Sequence, residues 1–239
     1  MEEREFIFKG GKELGLDLDV HQMDQLVRFK ERILEKNKSM NLTSIVDDQE
    51  FIIKHYFDSF TLSRYLEDGG VHRVLDMGTG AGFPGIPLKI LFPRVDFSLV
   101  DSLQKRIHFL REVTEDLGLK GIQCIHGRAE ELGQSQEYRE GFDLVVSRAV
   151  AQISVLSEYC LPLVKVDGSF LCLKGPRYRE ELEEGKSSIT KLGGRVQGID
   201  SVLLPFSDIQ HYIIHIRKIR QTPSKFPRKP GKPSKSPIK

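Results

Sequence analysis

The rhythm of hydrophobic positions changes near residue 71. Upstream, Val20, Met23, Leu26, Val27, Ile33 and Leu34 recur at the three- and four-residue spacing of one helix face, which predicts a helix over residues 19–36. A second helical stretch is predicted over residues 49–65, and no strand pattern occurs before residue 71. Downstream, short apolar runs alternate with helical stretches. Strands are predicted at Arg73–Met77, Asp96–Asp101, Ile122–His126, 142–147 and 169–174. Helices are predicted at 86–92, at 103–117 with Gly118 as C-cap, at 150–164 and at 177–192. This alternation predicts βαβ units and a parallel sheet. The last two runs, 196–204 and 211–219, break it. Six residues separate them, too few for a crossover helix, so they should form an antiparallel hairpin at the sheet edge.

Composition narrows the class. At 39% hydrophobic, the 239-residue chain can bury a substantial core. No apolar run approaches the ~20 residues that span a bilayer. The start, Met1-Glu2-Glu3-Arg4-Glu5, is acidic and unlike a signal peptide, so a cytoplasmic protein is expected. Cys124, Cys160 and Cys172 are odd in number and form no C-x-x-C pair, as reduced core thiols would. His211 and His215 are four apart but lie in a predicted strand, and no metal is expected.

The net charge of +2 conceals an asymmetry. Residues 217–239 hold nine Lys or Arg and no acid, while the rest of the chain carries 27 basic and 34 acidic residues. With five prolines, the tail over 220–239 is expected to be disordered. Its natural partner is a polyanion, RNA above all; the alternative is a merely solubilising end.

The strongest chemical signal is Asp76-Met77-Gly78-Thr79-Gly80-Ala81-Gly82-Phe83-Pro84-Gly85, directly after the first strand. Glycines there let the backbone turn tightly and approach a ligand. Gly80 to Gly85 also fits G-x-G-x-x-G, so a nicotinamide-dependent oxidoreductase is one alternative. Asp76 argues instead for S-adenosylmethionine, because a carboxylate there suits the ligand's cationic amino-acid end and repels a pyrophosphate. Pro84 also removes one N–H from the helix start. Asp101, at the end of the second strand, can accept from ribose hydroxyls or cap the next helix. Ala129 and Glu130 follow the third strand and could frame an adenine or merely begin a helix. Arg148, in Ser147-Arg148-Ala149-Val150-Ala151 after the fourth strand, can face the transferred methyl or serve as an ion-pair partner.

With these loops placed, the run Val74 to Leu88 closely resembles the bacterial small-subunit ribosomal RNA guanine-N7 methyltransferases, also known as the glucose-inhibited division protein B family. Asn41-Leu42-Thr43-Ser44-Ile45 is similar to the family's N-terminal signature, and His55-Tyr56-Phe57-Asp58-Ser59 to its H-x-x-D-S element. The similarity extends from about residue 20 to 217. It implies an α/β fold: a seven-stranded, Rossmann-like class I methyltransferase sheet with a helical N-terminal extension and the C-terminal hairpin. The corresponding division is 1–70, 71–219 and the tail 220–239. It also implies S-adenosylmethionine as cofactor and 16S ribosomal RNA, or the small ribosomal subunit, as partner of a monomeric enzyme.

By position, the family's cofactor contacts fall on Gly78, Phe83, Ala129, Glu130 and Arg148; the turn chemistry adds Asp76, Gly80 and Asp101. Asn41, His55 and Asp58, with Arg148, are expected to shape the guanine site over the cleft, and Asn37 is grouped with them; for Asn37, Asn41, His55 and Asp58 the alternative is helix capping and interdomain hydrogen bonding. Guanine N7 carries an in-plane lone pair and no proton, so its methylation needs no base and rests on positioning. A second alternative is a non-enzymatic RNA-binding protein built on the same fold.

Overall fold

The computed structural model describes residues 2–67, 70–148 and 151–239. Ala149 and Val150, inside the Ser147–Ala151 loop and at the start of the helix expected over 150–164, lie outside them. Seven strands form one sheet in the order β3-β2-β1-β4-β5-β7-β6. They are β1 (Arg73–Met77), β2 (Asp96–Asp101), β3 (Ile122–His126), β4 (Phe142–Arg148), β5 (Val164–Lys174), β6 (Gly194–Leu203) and β7 (Gln210–Lys218). The first five run parallel, and β7 enters antiparallel between β5 and β6. The strand order reverses next to β1, and in open α/β sheets ligands bind at the carboxyl ends of strands beside such a switch point.

Alternation along the strands divides the core. On β4 and β5, Val145, Phe170 and Cys172 face one apolar cluster, whereas Leu144, Val146, Leu171 and Leu173 face another. Helix α5 (Gly85–Leu91) contributes Leu88 to the second of these layers. Helices α8 (Ile153–Cys160) and α9 (Tyr178–Lys191) cover the first. All three cysteines are buried free thiols. Strand β5 begins five residues before the predicted start. Asp167-Gly168 has the composition of a turn, but Asp167 adopts φ +64° within the strand, and the pairing register with β4 shifts there.

The N-terminal helices share the sheet's core rather than forming one of their own. Helix α2 (Val20–Met40) opens on a capping box in which Asp19 accepts from the Gln22 N–H. Its Leu26, Phe29 and Ile33 join Phe6 and Ile7 of α1 (Glu3–Glu13) in a cluster that also holds Phe83, Ile86 and Leu99. The second predicted helix is three pieces: α3 (Asp48–Phe51), a π-helical stretch Ile52–Phe57, and α4 (Asp58–Phe60). A π-turn inside a helix re-aims the side chains that follow it and often marks a functional site.

The tail departs from the expectation of disorder. Residues 220–239 are described throughout and docked on the body, with a short helix α10 (Lys232–Lys235). Composition misjudged it because this segment builds no core of its own. Side chains of the body satisfy its backbone instead. Arg139 donates to the carbonyls of Thr222 and Phe226, Gln134 to that of Pro227, and Glu140 accepts from the Thr222 N–H.

Candidate functional site

The glycine turn is a local construction. Gly78, Gly80 and Gly82 have φ of +74°, +62° and +106°, conformations that side-chain-bearing residues rarely adopt. Beneath it, Asp76 is fully buried. Its Oδ2 accepts from the Thr79 hydroxyl at 2.7 Å and from the Gly85 N–H at 2.9 Å, tying strand end to helix start. Its Oδ1 is buried with no hydrogen-bond partner among the described residues. Burial pushes the Asp76 carboxyl up to about 6 against the pull of those two donors.

The turn spends its own amides. The N–H groups of Gly78 and Thr79 both donate to the Val100 carbonyl, and that of Gly80 to Asp101 Oδ2. Those of Gly82 and Phe83 go to the Thr79 carbonyl. A pyrophosphate cradle needs such amides free and aimed at the ligand. Asp101 also accepts from the Leu103 N–H and pairs with Arg106 at the entrance to α6 (Gln104–Asp116), whose N-cap, Leu103, makes no side-chain cap bond. The expected helix cap is therefore not made by Asp101, while of a carboxylate's roughly four acceptor positions three are used, which leaves room for a ribose hydroxyl.

A cavity of about 190 Å³ lies over the ends of β1, β2 and β3. Gly78, Asp101 and, from the short helix α7 (Ala129–Leu132), Ala129 and Glu130 line it, as do Tyr159 and two tail residues, Gly231 and Ser234. A second cavity, of about 550 Å³, is lined by Lys54, His55, Asp58, Arg148, Lys174, Glu181 and His211. Of the expected contacts, Gly78, Asp101, Ala129 and Glu130 thus meet at one cavity, and Arg148, His55 and Asp58 at the other. Asp76, buried beneath the turn, and Gly80 line neither cavity, and nor does the ring of Phe83. It is buried under His55, stacked at 4.5 Å, with Arg148 5.1 Å above its centroid.

Arg148 is fixed from three sides. It donates to Asp58 Oδ2 at 2.9 Å, to the Lys54 carbonyl at 3.0 Å and to His55 Nδ1 at 3.2 Å. Because Arg148 can only donate, Nδ1 accepts, and the neutral ring carries its proton on Nε2, which meets Thr43 Oγ1 at 3.0 Å. Burial, reinforced by the Arg148 charge, holds His55 down at about 3. Asp58 is 1% exposed and takes His211 Nδ1 on its other oxygen at 2.5 Å. Burial alone would raise the Asp58 carboxyl, but His211 and Arg148 together hold it below its ordinary value. Both ring nitrogens of His55 and both oxygens of Asp58 are engaged, so these two residues position Arg148 and stand away from proton transfer.

Asn41 lies outside this assembly. It is exposed, with φ +50°, and forms the left-handed C-cap of α2. The signature's structural work falls to Asn37, whose side chain accepts from the N–H groups of Leu42 and Thr43 and donates to the Thr43 carbonyl. Thr43 then reaches His55. Sequence reasoning missed His211, which gave only a strand signal, and missed Lys54, Thr43, Lys174 and Glu181. Gly231 and Ser234 carried no signal beyond tail composition.

Comparison with known proteins gives the family. A family profile described as rRNA small subunit methyltransferase G matches residues 22–210. A ribosomal RNA small subunit methyltransferase G of Alkaliphilus metalliredigens is 50% identical over the whole of both chains. Its counterpart in Acetivibrio thermocellus is 48% identical over 98% of this chain and 96% of its own. Among solved structures, the YcgJ protein of Bacillus subtilis aligns with a TM-score of 0.52 at 15% identity, over 70% of this chain and all of its own, a likeness of fold. By profile and by relatives alike, the chain belongs to the ribosomal RNA small subunit methyltransferase G family.

Proposed function

We propose that this chain transfers a methyl group from S-adenosylmethionine to N7 of a guanine in 16S ribosomal RNA. The observation that carries the reading is a charged cleft in which Arg148 is fixed by Asp58, His55 and the Lys54 carbonyl, a site built to hold a target in place. Guanine N7 brings its own lone pair and needs only to be held in line.

The residues fit the cofactor. The orphaned Asp76 Oδ1 suits a cationic amino-acid end, and Asp101 retains acceptor capacity for a ribose hydroxyl. Ala129 and Glu130 border the space for an adenine. The bound cofactor supplies an electrophilic methyl group on a sulfonium. Arg148, held rigid by Asp58, His55 and the Lys54 carbonyl, borders the space for the target base. A base inside a duplex cannot enter such a cleft, so the target is an unpaired or extruded nucleotide. Exposed Lys225, Lys229, Lys232 and Lys235 on the docked tail supply charge for the RNA backbone. The test is transfer of labelled methyl from S-adenosylmethionine to small-subunit RNA of a strain lacking this protein, with the modified base mapped. Label on a guanine N7 is expected; unlabelled RNA overturns the proposal.

A further inference from the structure

The cavity beside the glycine turn has a wall that the sheet does not provide. Loops after β1, β2 and β3 form one side through Gly78, Asp101, Ala129 and Glu130. Gly231 and Ser234, about a hundred residues later in the chain, form the other. This tail segment is built in. Arg228 meets Glu158 with its backbone N–H (2.8 Å) and with Nε and a terminal nitrogen of its guanidinium (2.8 and 2.6 Å), a forked geometry. Glu158 is 1% exposed and sits on α8. Three residues on, the Gly231 N–H donates to Glu130 Oε1 at 2.9 Å. Pro227, Pro233 and Ile238 are buried against the body, while the lysines between them face outward. Glu130 therefore serves two masters: it borders the cavity, and it latches the tail.

We propose that the tail completes the cofactor pocket, with Gly231 and Ser234 bearing on the adenosine half of S-adenosylmethionine and Arg228 as the positioning residue that holds them there. The inference rests on the cofactor assignment made above. Cofactor binding and tail docking are then coupled, and by linkage each strengthens the other by the same factor. The wall is specified by shape and by the Glu130 and Glu158 latches. The outward lysines are free for a different task, contact with RNA.

The test titrates the full chain with S-adenosylhomocysteine by calorimetry, beside a chain ending at Thr222 and an Arg228→Ala variant. Thermal unfolding of each checks that it is folded. Both variants should bind at least about fivefold more weakly, an ordinary coupling strength. In the unaltered protein, S-adenosylhomocysteine should slow tryptic cleavage after Lys225 and Lys235, a measurement that needs no variant. A Lys229→Gln/Lys232→Gln/Lys235→Gln variant should keep the full chain's affinity. Equal affinity with and without the tail, together with unchanged cleavage, overturns the wall while leaving the methyltransferase reading intact. If the lysine variant alone reproduces the loss, the tail acts through charge and the wall is likewise overturned. A full chain that does not bind S-adenosylhomocysteine overturns the cofactor assignment itself.

Discussion

The glycine turn and the Arg148 cluster are neighbours at the carboxyl ends of two central strands, yet they are held in opposite ways. The turn is made of ten consecutive residues whose hydrogen bonds close mostly on themselves and on the adjoining strand end. The cluster draws on four distant pieces of chain: the loop after α2, the π-helical stretch with the adjoining start of α4, the end of β4 and the start of β7. Backbone conformation fixes the first. A chain of side-chain hydrogen bonds from Asn37 through Thr43, His55, Arg148 and Asp58 to His211 fixes the second. A site can therefore have a ligand half that is robust to distant change and a substrate half that fails when any of several remote contacts fails.

The most severe way to break this contrast is Asp58→Ala. It strips a buried partner from both Arg148 and His211 and should cost about 3 kcal/mol, since breaking a buried pair leaves charge uncompensated. Chemical denaturation would measure the loss. Methyl transfer should fall further than cofactor affinity does; the reverse ordering would move the cluster to the cofactor half. Gly85→Ala attacks the turn instead. Its Cβ would lie 2.2 Å from Leu99 Cδ2 and 2.8 Å from Asp76 Oδ2, which calls for about 1–3 kcal/mol of overpacking strain and loss of cofactor binding by calorimetry.

Acid separates the two halves by sign. Asp76 sits at about 6 in the folded chain, above its ordinary value of 3.8, so its contribution to stability is present at low pH and is lost as pH rises through 6. A cationic ligand end favours the ionised form, so cofactor affinity should weaken as pH falls below about 6, and Asp76→Asn should flatten that profile. His55 runs the other way. Its folded value of about 3 lies below the ordinary 6.5, so its contribution is present above 6.5 and is lost as pH falls toward 3. His55→Gln should remove that part of the acid sensitivity in pH-dependent denaturation. The smallest effect is expected at Asn41→Gly, which suits a left-handed cap and should change stability by only a few tenths of a kcal/mol and leave activity unaltered. Asn37→Ala should be the costlier change of the two.

The strand pattern gave β1, β2 and β3 to the residue, because each is a short apolar run bounded by loop residues. Strand β5 was shortened by its Asp167-Gly168 bulge, which has the composition of a turn. The tail was misjudged because composition weighs only the apolar surface a segment buries and takes no account of body side chains that meet its backbone.

The sequence by itself determined the glycine turn, the alternating order of strands and helices, the terminal hairpin and, through the family motifs, the chemistry to expect. Each depends on neighbouring residues whose preferences are readable locally: positive φ for glycine, period two for strands. Only the tertiary structure decided that His55 and Asp58 hold Arg148, that Asn41 is a cap, that Phe83 is packed under His55, and that the tail borders the cavity. Those outcomes depend on which distant side chains meet, and at what burial, and neither is written in the order of the residues.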